Sequence, residues 1–147
     1  MTDAHRPLEV VDVETWTRPL PGNDPLANEY FRLCAAGTLT IERCRECRSA
    51  QHYPRGICMR CGATPVFEAV SGLGTVYTFS IVRQNGVPPF KGMVPYVLAL
   101  VDLDEGPRLM GNIVDCDPEE VAVGDRVRAF VMRASPDVGI PQWRLAR

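Results

Sequence analysis

The sequence predicts a mainly β protein in which a helix and a small cysteine-rich module precede a five-stranded barrel. Four of the six cysteines form two C-x-x-C pairs in the first half of the chain. After them, short β-rich segments alternate with turn residues, and no long helix-period pattern separates these segments. The 147 residues are 46% hydrophobic, which is enough for one core and at most a small satellite module.

Residues 1–24 are predicted to form an extended arm. The segment carries Pro7, Pro19 and Pro21 among charged residues and has little periodicity. Trp16 is its only Phe, Tyr or Trp residue. We expect this side chain to anchor the arm, either on the protein's own barrel or on a partner.

A helix is predicted to begin after Asp24 and to end at Gly37. Asp24 is a favoured N-cap, Pro25 suits the first helical position, and glycine is typical just past a helix C-terminus. Apolar residues recur at a spacing of three to four: Leu26, Tyr30, Leu33 and Cys34. The pattern therefore predicts that Cys34 is a buried thiol.

The cysteine pairs follow a short predicted strand, because residues 38–42 alternate between polar and apolar. Ten residues separate the first pair, Cys44 and Cys47, from the second pair, Cys58 and Cys61. Zinc prefers four soft ligands in a tetrahedron, and each C-x-x-C turn supplies two thiolates. We therefore predict one structural zinc ion bound by all four cysteines, with no open coordination position for catalysis.

The cysteines have other interpretations: two disulfides, a redox-active thiol pair or an iron site. The paired spacing favours zinc over each of them. His52 lies between the pairs, but with four cysteines available we expect it to be a surface residue. Cys34 and Cys116 are predicted to be free thiols.

Arginines crowd around the cysteine pairs, and the sequence leaves their role open. They could compensate the net negative charge of four thiolates around a divalent ion, or simply be solvated. They could also form a phosphate-binding surface for a nucleotide-like ligand or a nucleic acid. The five residues are Arg43, Arg45, Arg48, Arg55 and Arg60.

The barrel is predicted in the remainder of the chain. We expect strands at 66–70 bending through glycines into 75–83, then at 96–103, 108–114, 126–132 and 142–146, with a one-turn helix at 117–121. Five strands with a helical turn between the third and fourth are typical of an OB-fold. The predicted organisation is an arm at 1–24, a helix and zinc ribbon at 25–64, and the OB-fold at 65–147.

Several function classes find little support in the sequence. It contains no Ser/His/Asp set, nucleophile elbow, phosphate-binding glycine loop or dinucleotide fingerprint. The carboxylates Asp102, Asp104 and Glu105 lie at a predicted hairpin end, where solvated turn residues are ordinary. We therefore expect the chain to have no enzymatic activity on its own.

Charge and hydropathy bear on the binding partners and the cellular location of the protein. The net charge of −2 disfavours nucleic-acid binding. The longest apolar run, at 96–101, is far shorter than the roughly 20 residues of a membrane-spanning helix. Because the N-terminus does not read as a signal peptide, a cytoplasmic location without membrane association is expected.

The loop at 84–94 is more apolar than a barrel connection requires. It contains Val87, Pro88, Pro89, Phe90 and Met93. Exposed apolar loop residues usually contact a ligand or a partner, although Phe90 could instead cap the open end of its own barrel. The candidate substrate or partner contacts are Val87, Pro89, Phe90, Lys91 and Arg55.

The order of these features resembles a known family. The residues that carry the likeness are Tyr30-Phe31 and Gly37-Thr38-Leu39, the two C-x-x-C pairs, Gly74-Thr75-Val76-Tyr77-Thr78-Phe79, Pro95-Tyr96-Val97 and Leu103-Asp104-Glu105-Gly106-Pro107-Arg108-Leu109. They are similar to domain-of-unknown-function family thirty-five, small acyl-CoA-associated proteins that join a rubredoxin-like zinc ribbon to an OB-fold. The likeness covers the chain from about Asn28 to its end.

The resemblance implies a non-catalytic scaffold. Members of this family look like accessory subunits of thiolases, acyltransferases and the aldolases that shorten steroid side chains. The chain would then dock on a thiolase-fold partner in a hetero-oligomer and help to form the acyl-CoA site, while the partner holds the catalytic residues.

Two other functions remain as alternatives. Zinc ribbons and OB-folds also occur in nucleic-acid binding, and the stacking candidates would be Tyr77, Phe79, Tyr96 and Phe130. The sequence pI of about 5.7 opposes that function. An independent acyl-CoA hydrolase or transferase would require a nucleophile or base that the sequence does not offer.

Overall fold

The computed structural model describes residues 6–147. In chain order the strands and helix are β1 (Val10–Asp12), α1 (Pro25–Ala35), β2 (Thr40–Cys44), β3 (Ala50–Gln51), β4 (Pro65–Ala69), β5 (Leu73–Val82), β6 (Tyr96–Leu103), β7 (Arg108–Ile113), β8 (Arg126–Ser135) and β9 (Val138–Leu145). Two 3-10 helices, Phe90–Gly92 and Pro118–Glu120, lie in the loops before β6 and β8. Within the described residues, no helix has the length and apolar character needed to cross a bilayer.

The last five strands close the predicted barrel. Strands β5, β6 and β7 form an antiparallel meander, and β8 pairs with both β5 and β9. Strand β9 meets β7 only through the parallel pair Ile113 and Trp143. Trp143 is the largest fully buried side chain of the core. With the short helix Pro118–Glu120 between the third and fourth barrel strands, the arrangement confirms the OB-fold.

A second, three-stranded sheet has the order β3-β2-β4 and carries the cysteines. The prediction of one long bent strand from residue 66 to residue 83 is wrong. Strand β4 pairs with β2, from Thr40 opposite Ala69 to Cys44 opposite Pro65, and only β5 enters the barrel. At the break, the Ser71 hydroxyl accepts a hydrogen bond from Leu73 N at 3.1 Å, and Gly72 has a φ of +73°. The limits given above for the three segments stay predictions.

Strand β2 is buried on both faces, although its sequence alternates. Leu39 and Ile41 are each 1% exposed, as the pattern predicts. The polar residues Thr40 and Glu42 are also buried, each at 3% exposure, because β2 is the central strand of its sheet. A buried carboxylate requires hydrogen-bond donors, and Glu42 finds them in the ribbon loop described below.

The helix begins and ends where the sequence predicts. The Asp24 side chain accepts hydrogen bonds from Leu26 N at 2.9 Å and Ala27 N at 3.4 Å. Gly37 has a φ of +83°, and the Thr38 amide bonds back to the Leu33 carbonyl at 2.9 Å, which closes a Schellman motif. Cys34 is fully buried, as predicted.

The helix and the arm both pack on the barrel. Strand β1 pairs in parallel with β8, and Asp12 forms an ion pair with Arg133 at 2.6 Å. Helix α1 lies against β9 at Gly139, where an added Cβ would be 2.6 Å from the carbonyl carbon of Cys34. The arm is therefore extended but docked over residues 6–24, and its first five residues lie outside the described part.

The close approach at Gly139 makes a stability prediction. Gly139→Ala should destabilise the protein by about 2 kcal/mol, because the new methyl group would meet the helix backbone, which cannot rotate away. Urea unfolding would measure the loss. Gly86→Ala is the control, since nothing lies within 4 Å of its added Cβ. Equal stability of the two variants would contradict the proposed close packing.

Candidate functional site

The four predicted ligands form one compact cluster. All four sulfur atoms lie within 4.8 Å of one another, with Cys44 Sγ 3.5 Å from Cys61 Sγ and Cys47 Sγ 3.6 Å from Cys58 Sγ. Tetrahedral zinc with bonds of about 2.3 Å separates its sulfur ligands by about 3.8 Å. A disulfide would need about 2.05 Å, and all four residues are free cysteines. The geometry therefore fits a structural zinc site.

Two equivalent turns present these sulfurs. In the first turn Arg48 N bonds to the Cys44 carbonyl at 3.1 Å, and in the second Gly62 N bonds to the Cys58 carbonyl at 2.9 Å. Ser49 connects the turns, because its hydroxyl lies 3.1 Å from Cys47 Sγ and 3.2 Å from Cys58 Sγ. Sequence reasoning missed Ser49, since a single serine near cysteines carries no signal of its own.

A buried carboxylate holds the loop between the two turns. Glu42 accepts hydrogen bonds from Arg55 N and Gly56 N, each at 2.9 Å, and from Gln51 Nε2 at 2.7 Å. The Gln51 side-chain oxygen Oε1 accepts a hydrogen bond from Met59 N at 2.9 Å. These contacts fix the position of Cys58 relative to β2. The sequence analysis assigned no role to Glu42 beyond its place in the alternating strand, so this role was also missed.

The arginines around the cluster divide into one paired residue and four unpaired ones. Arg43 forms an ion pair with Glu68 at 3.0 Å and donates to the Arg48 carbonyl at 3.0 Å. Within residues 6–147, Arg45, Arg48, Arg55 and Arg60 form no ion pair, and all four are exposed. The cluster is thus surrounded by positive charge, and both roles considered for these arginines remain predictions.

His52 is not the surface residue that we expected. Its ring packs against Tyr30 and Tyr53 at centroid distances of 5.3 and 4.2 Å. Burial lowers the pKa of His52 to about 4, so the ring is neutral near pH 7. The residue belongs to a wall of the groove described next, and it is not among the clustered metal-ligand atoms.

An apolar groove of about 500 Å³ lies at the junction of arm, helix, ribbon and barrel. Its floor is the opening where β7 and β9 separate beyond their single pair. Six of the lining residues represent the contributing segments: Trp16, Phe31, His52, Phe90, Met110 and Ile140. Of the five predicted contact residues, only Phe90 lines the groove; Val87 and Lys91 are exposed nearby in sequence, and Arg55 is exposed on the ribbon.

Unsatisfied nitrogen atoms concentrate around this groove. Trp16 Nε1, His52 Nδ1 and Trp143 Nε1 are buried without a hydrogen-bond partner among the described residues, and all three residues line the groove. Arg18 also lines it, with its guanidinium 3.9 Å from the Trp16 ring centroid. Burial lowers the pKa of Arg18. Unpaired buried polar groups are costly, and they commonly mark places where something binds.

The turn carboxylates have structural partners. Asp102 pairs with Arg108 at 2.6 Å and Asp104 with Arg126 at 2.7 Å, both half-exposed. Glu105 accepts a hydrogen bond from Ser71 N at 2.8 Å. Asp102 and Asp104 thus form ion pairs with arginines, and Glu105 stabilises a turn. These three carboxylates are not arranged as a catalytic acid pair.

Comparison with known proteins places the chain in a family. A model described as "ChsH2, rubredoxin-like zinc ribbon domain" matches residues 31–66, and "ChsH2, C-terminal OB-fold domain" matches residues 67–132. A "DUF35 domain-containing scaffold protein" of Methanocaldococcus jannaschii is 40% identical over 110 residues, covering 72% of this chain and 73% of the relative. The chain belongs to the DUF35 family. The resemblance deduced from the sequence is thereby confirmed.

Two further matches of this DUF35 chain concern larger assemblies. The "3-oxo-4,17-pregnadiene-20-carboxyl-CoA hydratase alpha subunit" of Mycobacterium tuberculosis is 35% identical over 136 residues, which cover 92% of the chain but 40% of that subunit. A solved structure titled "Ltp2-ChsH2(DUF35) aldolase" superposes with a TM-score of 0.75 at 31% identity, covering 88% of this chain and all of the matched one.

The metal site makes a direct prediction. We expect one zinc ion per chain, and Cys58→Ala should lose it, because three thiolates cannot complete the tetrahedron. Residues 42–64 should then become protease-sensitive while the barrel persists, since a ribbon this small folds with its metal. Elemental analysis and limited proteolysis would measure both effects.

The control is Cys116→Ala, which lies outside the cluster and should keep the metal. The prediction would be wrong if the metal were iron, or if the Cys58 variant kept a protease-resistant ribbon.

We expect the stability of the protein to depend on pH through His52. Because its folded pKa of about 4 lies below the ordinary value of 6.5, the unfolded chain binds a proton that the folded chain excludes between these values. Stability should therefore fall as pH decreases from 6.5 towards 4, by at most about 1.4 kcal/mol per pH unit. Urea unfolding at several pH values would show it.

The matched variant is His52→Phe, which keeps an aromatic ring in the stack but cannot titrate. Its stability should decline less steeply over the same pH range. Parallel profiles for the two proteins would exclude His52 as the source.

Proposed function

We propose that this protein is a non-catalytic accessory subunit of a thiolase-type complex that processes an acyl-CoA. The observation that carries the proposal is the match to the Ltp2-ChsH2 aldolase structure, at 31% identity over the whole of the matched chain. Its title names two components, and the similar hydratase of M. tuberculosis is named as an alpha subunit. Both names support a partner for this chain.

The groove is the proposed contact with that partner and its substrate. It is predominantly apolar, yet it holds the three unpaired buried nitrogens and the Arg18 guanidinium. An occupant with an apolar body and polar acceptors would suit it better than water does. Phe90 lies at its edge, and the neighbouring Val87 is 61% exposed. A docked partner would cover this loop and remove the exposed apolar surface from water.

The ribbon arginines are the proposed electrostatic part of the interface. Four exposed guanidinium groups surround the cysteine cluster. The four sulfur atoms complete the coordination of the metal by themselves, so these guanidinium groups can bind a ligand. Guanidinium groups bind phosphate oxygens in bidentate fashion. Arg55 and its neighbours would then attract the phosphates of coenzyme A, while the pantetheine arm runs towards the partner's active site.

Catalysis is assigned to the partner. Four sulfur ligands leave no position for a zinc-bound water. The internal cysteine Cys34 is a poor nucleophile, because burial raises its pKa to about 12. A subunit of this kind would position the thioester and exclude water from it.

Two contacts argue against the nucleic-acid alternative. The Arg108 guanidinium lies 3.2 Å from the Tyr77 ring centroid, and Arg144 lies 3.8 Å from that of Phe130. Each arginine also pairs with a carboxylate. Two of the four candidate stacking rings thus contact arginines whose charge is already paired with a carboxylate, which reduces the stacking surface that such binding needs.

The test uses the chain and a thiolase-type protein encoded with it. The chain alone should turn over no CoA thioester, and the partner should need it for activity or solubility. Thioester cleavage measured for each protein and for the mixture decides this. If the partner alone were as stable and as active as the mixture, the scaffold function would be wrong.

The contact loop is tested separately. Phe90→Asp should weaken association with the partner by about tenfold or more, because an unpaired carboxylate would enter an apolar contact. Val123→Asp is the matched control, since Val123 is 66% exposed and does not line the groove. Equal affinity of both variants, measured by calorimetry, would remove the loop from the interface while leaving the scaffold function untouched.

A further inference from the structure

A second concave site lies between the arm and the barrel. This pocket, of about 370 Å³, shares no lining residue with the groove. The arm forms one wall through residues 6–9, and β8 and β9 form the other. Three of its ten lining residues are arginines, Arg6, Arg128 and Arg144, against a single carboxylate, Glu9. No part of the proposed function uses it.

Two of the arginines are placed where a sheet ordinarily avoids like charges. Arg128 on β8 lies directly opposite Arg144 on β9. Like charges in this relation destabilise a sheet by a fraction of a kcal/mol to about 1 kcal/mol. Because carboxylates already pair with Arg144, the uncompensated guanidinium of Arg128 is the one of the two that raises the local concentration of anions in the concavity.

Only one of these two arginines is compensated. Arg144 pairs with Asp115 at 2.6 Å and Glu9 at 2.7 Å, and its guanidinium lies 3.8 Å from the Phe130 ring centroid. It is thus held as a fixed part of the wall. Within residues 6–147, Arg128 and Arg6 form no ion pair, so no carboxylate of this part of the chain neutralises their charge.

A neutral donor completes the lining. The Ser71 hydroxyl accepts a hydrogen bond from Leu73 N at 3.1 Å, which occupies one of its lone pairs and leaves its proton to donate elsewhere. Ser71 and Leu73 both line the pocket. Two unpaired guanidinium groups and a hydroxyl offer donors to three oxygens, which suits a tetrahedral phosphate better than a planar carboxylate.

We propose that this pocket binds a phosphate group through Arg6, Arg128 and Ser71. Inorganic phosphate and the phosphate monoester of a larger metabolite share this chemistry. The pocket volume exceeds what a single phosphate occupies, so a sugar attached to the phosphate can also be accommodated. The site stands apart from the acyl-CoA proposal, and either can fail without the other.

The experiment titrates the full chain at constant ionic strength with inorganic phosphate, ribose 5-phosphate, glucose 6-phosphate and acetate. Binding is followed by calorimetry and by backbone amide chemical shifts. Phosphate compounds should bind saturably and shift the amides of Ser71 and Leu73, whereas acetate should bind at least about tenfold more weakly. Equal affinity for phosphate and ribose 5-phosphate would identify free phosphate as the ligand, and tighter binding of either ester would identify a phosphorylated metabolite.

Single substitutions test whether phosphate binds in this pocket. Arg128→Gln should weaken phosphate binding by about tenfold or more, because it removes one uncompensated guanidinium. Arg126→Gln is the matched control: it lies two residues away on the same strand, but its charge is already paired with Asp104. Unchanged affinity in Arg128→Gln, equal losses in both variants, or chemical shifts confined to the ribbon arginines would overturn the proposal.

Discussion

The bonds between zinc and four thiolates are the constraint on which the ribbon, and through it the wall of the groove, depends. The ribbon has few buried apolar residues of its own, so the free energy of metal binding is the free energy that folds it. Once folded, the ribbon fixes the loop that Glu42 holds and places His52 against Tyr30 of helix α1, with Tyr53 stacked on His52. Those rings form a wall of the groove, which is the surface that we propose for contact with a partner and its substrate.

The groove is formed by segments that are distant in the chain. Arm, helix, ribbon loop, the loop at 84–94 and the edges of two barrel strands all contribute side chains. Because no single segment contains it, movement of any one of them changes its shape. A partner that binds there would stabilise the docked positions of all of them together, which links assembly of the complex to the order of the arm.

Local rules predicted much of this structure. The helix follows from its cap, its proline and its terminal glycine, and the metal cluster follows from cysteine spacing, since both signals lie in adjacent residues. The rest depends on long-range packing. Strand β2 is the central strand of its sheet, and this position explains the pairing of residues 65–69 with the ribbon, the burial of Glu42 and the placement of His52. An alternating segment does not reveal from its own sequence how many strands will pair with it.

The distribution of the six cysteines gives the protein an unusual redox character. Four form the cluster, and Cys34 lies on the fully buried face of helix α1 with its pKa raised to about 12. Burial and the neighbouring charge of Glu120 also raise the pKa of Cys116. Oxidants attack thiolates, and here the thiolates are the ones that hold the metal. Oxidation of these cluster thiolates would therefore release the metal.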